Sequence, residues 1–139
     1  MLPIVLFSHG NYSQATKETA EMIVGDLEEV YTLAIKVGSS ISEAENDLEG
    51  IVQKYNGNII VLCDILGGTP SNITFKLKQK YKDMVCYTGF NLPLVLELIF
   101  NRSGETKDIK EMIRTTYSEG LHEIEYIELR QDNDSFMDL

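Results

Sequence analysis

Residues 5–22, VLFSHGNYSQATKETAEM, begin as an apolar run, pass through Ser8-His9-Gly10 and continue with helical spacing. An apolar run without polar alternation reads as a strand buried on both faces, the condition of a central strand in a parallel sheet. Beyond the joint, Tyr12, Ala15, Thr19, Met22 and Ile23 recur every three to four residues as an inner stripe. Lys17, Glu18 and Glu21 face away, and Gly25 lies near the expected helix stop. One of the chain's 2 histidines therefore stands where a buried strand hands over to a helix.

The same alternation recurs along the chain. Apolar runs at 2–8, 29–37, 58–63 and 84–90 read as four strands, and the first and third are apolar on both faces. Between them lie the helix of residues 12–24 and a second in SSISEAENDLEGIVQKY, where Ser40 and Glu43 fit a capping box and Leu48, Ile51 and Val52 form the inner stripe. A third helix opens after Pro70, with Ile73, Leu77 and Tyr81 on one side. The expected fold is α/β: a central, mainly parallel sheet of four strands with helices on both faces. Further on, Pro93 opens a short helix and KDIKEMIRTTY forms another. EIEYIEL (123–129) alternates as a half-exposed strand, expected to be antiparallel or at a sheet edge. A single domain over 1–130 and a frayed tail over 131–139 are expected.

Composition narrows the function. With 139 residues, 43% of them apolar, the chain is long enough for one real core. A net charge of −10 and the lack of any Lys/Arg run argue against binding nucleic acid. No apolar stretch is long enough to span a bilayer, and no basic segment precedes the first apolar run as in a signal peptide, so a soluble cytoplasmic protein is expected. Cys63 and Cys86 lack CxxC spacing and read as buried free thiols.

In open parallel sheets, ligands bind beyond the carboxyl ends of the strands. Three loops are expected at one rim: Ser8 to Asn11, Asp64 to Pro70, and Gly89 to Pro93. Each precedes a helix, so free N–H groups and positive dipole ends converge there, a setting for an anion. The reactive pair in it is His9 and Asp64. A carboxylate that accepts Nδ1–H leaves the histidine Nε2 lone pair free to act as base, metal ligand or nucleophile. Taken singly, His9 and Asp64 also read as structural hydrogen-bonding residues; together, beside Gly-Gly-Thr-Pro, they point to a site. No further His or Cys is near the rim to complete a metal set, and no metal or cofactor is expected. There is no Gly-Lys for a P-loop and no Gly-x-Ser-x-Gly for a serine hydrolase. What remains is His9 as a nucleophile toward a phosphoryl group. Met1 to Thr16 and Asn58 to Phe75 hold no Lys or Arg, so the phosphate is expected to rest on amides and the Thr69 hydroxyl without a cationic clamp.

IVLFSHG with a following helix containing TAEMIVGD, then DILGGTPSN, then GFNLPLVLE, in this order, resemble the IIA component of mannose-type sugar phosphotransferase systems over at least residues 2–100. The resemblance implies a cytoplasmic phosphocarrier. It would take a phosphoryl group from the small histidine-containing phosphocarrier protein and give it to a IIB component, which phosphorylates the sugar carried by the membrane IIC/IID permease. It further implies His9 phosphorylated on Nε2, Asp64 orienting it, and Gly67, Gly68 and Thr69 as the phosphate-side turn. Ser71 stands where an aromatic or bulkier residue is more usual. A homodimer that exchanges the strand at 123–129 and a stand-alone IIA without fused IIB are implied as well.

A response-regulator receiver is the competing function, since Asp64 and Thr88 follow the third and fourth strands. It would need an acidic pair where Ser8 and His9 stand, and a Lys after its last strand. A histidine phosphatase or mutase would carry Arg in place of Ser8. His122, among acidic neighbours, reads as a solvated histidine, and Glu97 as a partly exposed helix residue.

Overall fold

The computed structural model describes residues 1–128. Four strands, β1 (Ile4–His9), β2 (Val30–Ile35), β3 (Ile60–Cys63) and β4 (Val85–Thr88), alternate with helices α1 (Tyr12–Val24), α2 (Ile41–Lys54) and α3 (Thr69–Lys80). Helices α4 (Leu92–Asn101) and α5 (Thr106–Glu119) follow. The strands form one parallel sheet in the order β2-β1-β3-β4, with Ile4 opposite Ile60 and Phe7 opposite Cys63. Parallel strands leave both faces to be covered, and two apolar layers do so. Ile4, Leu6, Ile60 and Leu62 pack with Leu94, Leu98, Ile109 and Ile113 on the side of α4 and α5. Val5, Phe7, Val61 and Cys63 pack with Leu48, Val52, Ile73 and Leu77 on the side of α2 and α3. The expected α/β sheet with helices on both faces is therefore the observed one.

The expected cap of α2 is present: the Ser40 hydroxyl accepts the Glu43 N–H at 3.2 Å. The expected inner stripe of α1 is not. Ser13, Thr16 and Ala20 face the sheet, while Met22 and Ile23 are 88% and 57% exposed. Small side chains bring the helix close enough for Ser13 Oγ to donate to the Leu33 carbonyl at 3.0 Å, and they win the inner face over bulkier neighbours.

The C-terminal expectation is overturned. After α5, residues 121–128 form no strand, antiparallel or exchanged, and helices α4 and α5 close the described structure. The alternation of EIEYIEL leaves Ile124 and Tyr126 more than nine-tenths exposed. Alternation specifies which face of a strand is buried, but a strand exists only where a neighbour satisfies its backbone, and residues 121–128 have none. The end of that expected strand, Leu129, and the tail 131–139 lie outside the described residues.

Candidate active site

The register of β1 against β3 places Phe7 beside Cys63, so His9 and Asp64 emerge at neighbouring strand ends. The Asp64 N–H donates to the Phe7 carbonyl at 3.2 Å, which carries the ladder to the edge of the site. Asp64 Oδ2 then accepts twice from His9, from its backbone N–H at 2.9 Å and from ring Nδ1 at 2.8 Å. Asp64 Oδ1 accepts the Ile65 N–H at 2.9 Å. Burial raises the Asp64 pKa, but the His9 N–H, the His9 ring and the Ile65 N–H outweigh it, and the carboxyl is held below its ordinary value. An ionised carboxylate only accepts, so Nδ1 carries the ring proton and Nε2 keeps its lone pair. The His9 side chain remains 44% exposed while Asp64 is 12% exposed, so the imidazole reaches solvent and its partner is largely covered.

The turn from Asp64 to Thr69 supplies the floor. Gly67 adopts φ +88°, a left-handed conformation that glycine accepts without strain. Gly68 lies against the imidazole so closely that a Cβ there would stand 2.5 Å from His9 Cε1 and 3.1 Å from Nε2. Ser71, buried at 7% exposure, staples this turn: its hydroxyl accepts the Gly67 N–H at 2.8 Å and donates to the Gly68 carbonyl at 3.1 Å. The Gly67 N–H is thus committed within the protein, which leaves Gly68 and Thr69 at the open N-terminus of α3 to meet an anion. A small hydroxyl at position 71 makes this staple, donating and accepting from one place.

The third expected loop also reaches the rim. Gly89 and Phe90 donate to the Cys63 carbonyl at 2.9 and 3.4 Å, and Asn91 caps α4 by accepting the Leu94 N–H. Tyr12 ties this loop to α1, its hydroxyl donating to the Phe90 carbonyl at 2.8 Å and its ring stacked on Phe90 at 4.9 Å. The Tyr12 hydroxyl pKa is raised by burial and by the negative charge of Asp64.

The set of loops at the rim is larger than expected. The loop after β2 shares the rim as well, because β2 flanks β1 and His9 pairs with Ile35, and Lys36 therefore lines one cavity with His9. His122 lies exposed beyond α5, and Glu97 is exposed on α4 bonded to Asn101, so neither joins His9. Cys63 and Cys86 are unpaired, and burial pushes their thiols up to about 11 and about 12. Among the described residues no group of three or more His, Cys, Asp or Glu side chains is arranged to hold a metal ion, and no helix is long and apolar enough to cross a membrane.

Comparison with known proteins matches this arrangement to one family. Over 103 residues the chain is 27% identical to the fructose-specific EIIA component of a phosphotransferase system (PTS) from Bacillus subtilis, covering 71% of this chain and 69% of that protein. Its fold superposes with a TM-score of 0.82 on the EIIA phosphotransferase component of Streptococcus agalactiae, 28% identical, over 88% of this chain and 97% of that one. A TM-score of 0.77 at 30% identity relates it to a PTS IIA protein associated with the fucose utilization operon of Streptococcus pneumoniae, over 87% and 91% of the two chains. The family described as PTS system fructose IIA component, EIIA-man, matches residues 3–117, and the chain with this His9–Asp64 pair at its sheet rim belongs to it, an EIIA-type phosphocarrier of a sugar phosphotransferase system.

Proposed function

We propose that His9 Nε2 accepts the phosphoryl group from the phosphohistidine of the small histidine-containing phosphocarrier protein and passes it to a IIB component in the cytoplasm. The IIB component serves the IIC/IID sugar permease. The observation that carries this reading is the 2.8 Å bond from His9 Nδ1 to Asp64, which turns an unblocked Nε2 outward at the rim. In transfer, the Nε2 lone pair forms the new N–P bond while the donor's N–P bond breaks, and its electron pair returns to the donor imidazole. Phosphorylated His9 then holds a proton on Nδ1 and phosphorus on Nε2. The Asp64 carboxylate balances the positive ring, and the Gly68 and Thr69 N–H groups face the phosphoryl oxygens. Transfer to IIB repeats the exchange in reverse. A homodimer belongs to the same proposal, supported by Leu121, Ile124 and Tyr126, apolar surface that a lone subunit leaves in water.

Incubated with the phosphorylated carrier protein, the chain is expected to gain one phosphate, stable in base and labile in acid, on the peptide containing His9. A base-labile acyl phosphate on Asp64 would overturn the reading in favour of a receiver-like acceptor. Asp64 is also expected to govern the rate. Charge-assisted bonds of this kind are worth about 1.5–3 kcal/mol, so Asp64→Ala should slow phosphoryl uptake roughly ten- to a hundredfold. Asp64→Asn should be slowed too, because an amide keeps a contact but not the charge. Rapid-quench labelling at fixed donor concentration measures both, and a wild-type rate in Asp64→Ala would remove Asp64 from the mechanism.

A further inference from the structure

The loops after β1 and β2 bring into one cavity with His9 two donors, Asn11 and Lys36, that no ion pair or helix cap among the described residues uses. Ile35 pairs with His9, and the Gly10 N–H donates to the Ile35 carbonyl at 2.8 Å, which fixes the two strand ends side by side. Lys36 follows at once. Its own backbone is held in a tight turn, with the Lys36 N–H on Ser39 Oγ at 2.8 Å and the Ser39 N–H on the Lys36 carbonyl at 2.9 Å. Together with Val37, the residues His9, Gly10, Asn11, Ile35 and Lys36 line one cavity of about 600 Å³. Lys36 is exposed, and the ion pairs among the described residues use His9, Lys76 and Lys80 instead. In a chain of net charge −10, an ammonium without a carboxylate beside the reactive histidine is available to another anion.

Asn11 is the second donor. It holds the N-cap position of α1, where asparagine ordinarily accepts an N–H of its own helix, yet it makes no such bond. Ser8, fully buried on β1, does that work instead: its hydroxyl accepts the Ser13 N–H at 2.8 Å. The Asn11 carboxamide is therefore not spent on the helix, and Asn11 is an exposed residue of the cavity wall. A cation and an amide donor, both without internal acceptors and both lining a cavity with an imidazole, form a place for a tetrahedral anion.

We infer that Lys36 and Asn11 receive the oxygens of the phosphoryl group carried by His9, an inference that rests on His9 being the acceptor. Lysine suits the task because its flexible stem lets the ammonium follow the group as it arrives and leaves, as a point charge and not a fixed fork. The pair acts on the bound phosphoryl group by favouring its dianionic form.

Phosphorus NMR on the phosphorylated full-length chain tests this directly by following the phosphoryl signal through its second ionisation. A facing cation lowers the midpoint of that titration, so Lys36→Gln should raise it by about half a pH unit, the effect being moderated by solvent. Lys36→Arg should keep it near the wild-type value, and Asn11→Ala should raise it by less than Lys36→Gln, having removed a donor but no charge. A phosphohistidine signal with the same midpoint in wild type and Lys36→Gln would overturn the inference and leave His9 as acceptor untouched. Slower labelling of Lys36→Gln with an unmoved midpoint would likewise overturn it, since Lys36 would then serve a carboxylate of the carrier protein. Failure of the wild-type chain to form any phosphohistidine would overturn both.

Discussion

His9→Ala is expected to take up no phosphate from the phosphorylated carrier protein under conditions that label the wild-type chain. The expected loss is total because the substitution removes the nucleophilic atom, and no other side chain at the rim can replace it. Asp64 is the nearest nucleophile, but its oxygens are already acceptors for N–H groups, and two of those donors, the His9 and Ile65 amides, belong to the backbone and survive the substitution. The carboxylate therefore stays paired and poorly nucleophilic. The fold survives as well, since the His9 side chain is 44% exposed and lies outside both apolar layers. A thermal melt close to wild type, together with absent label, is the expected pair of results. His122→Ala, which alters the other histidine, should be labelled normally. Phosphate on His9→Ala, with its fold intact, would show that the acceptor lies elsewhere.

Gly68→Ala is expected to slow phosphoryl uptake about a hundredfold or more through a single methyl group. The backbone at Gly68 has φ −84° and ψ 173°, an extended conformation open to alanine, so the substitution costs nothing in main-chain strain. Its effect is steric. The new Cβ would fall 2.5 Å from His9 Cε1, well inside van der Waals contact, and 3.1 Å from His9 Nε2. The imidazole must retreat, and the direction of retreat is limited by its 2.8 Å bond to Asp64. Either that bond lengthens or Nε2 turns away from the approaching phosphorus. A displacement on the order of 1 Å costs about a hundredfold in such reactions. Gly67→Ala provides the contrast, because a Cβ there meets nothing within 4 Å but the residue has φ +88°. It should lower stability by roughly 1 kcal/mol while leaving the ring in place. Labelling rates and denaturation midpoints of the two variants separate the effects. An undiminished rate in Gly68→Ala would mean that the ring is not seated on this turn during transfer.

The sequence alone was enough for the central strands and for the meeting of His9 and Asp64 at their ends. LPIVLFS and NIIVLC are apolar on both faces, as central strands of a covered parallel sheet must be, and a loop that leaves such a strand surfaces at the carboxyl rim. His9 and Asp64 were legible for that reason, being the imidazole and carboxylate at the first residues past two adjacent buried runs. The glycines beside Asp64 were legible as a turn, but their division of labour was not. That Gly67 is stapled by Ser71 while Gly68 seats the ring depends on where a hydroxyl and an imidazole point in space.

Lys36 was out of view for a related reason. Its segment lies 27 residues from His9 in the chain, and it becomes a neighbour only because β2 takes the far side of β1, a choice made by sheet packing that no local pattern encodes. Helix α1 and the C-terminal segment show the same limit in opposite directions. Hydrophobicity assigned Met22 and Ile23 to the inner face of α1, but close approach to the sheet selected Ser13, Thr16 and Ala20, because packing rewards fit as well as apolarity. EIEYIEL carries the alternation of a strand, yet residues 121–128 make none, since backbone hydrogen bonds require a second strand to exist. Periodicity and local chemistry thus determined the layers and the His9–Asp64 pair, while the tertiary structure decided which loops meet, which side chains are spent on holding them, and which are left exposed at the rim.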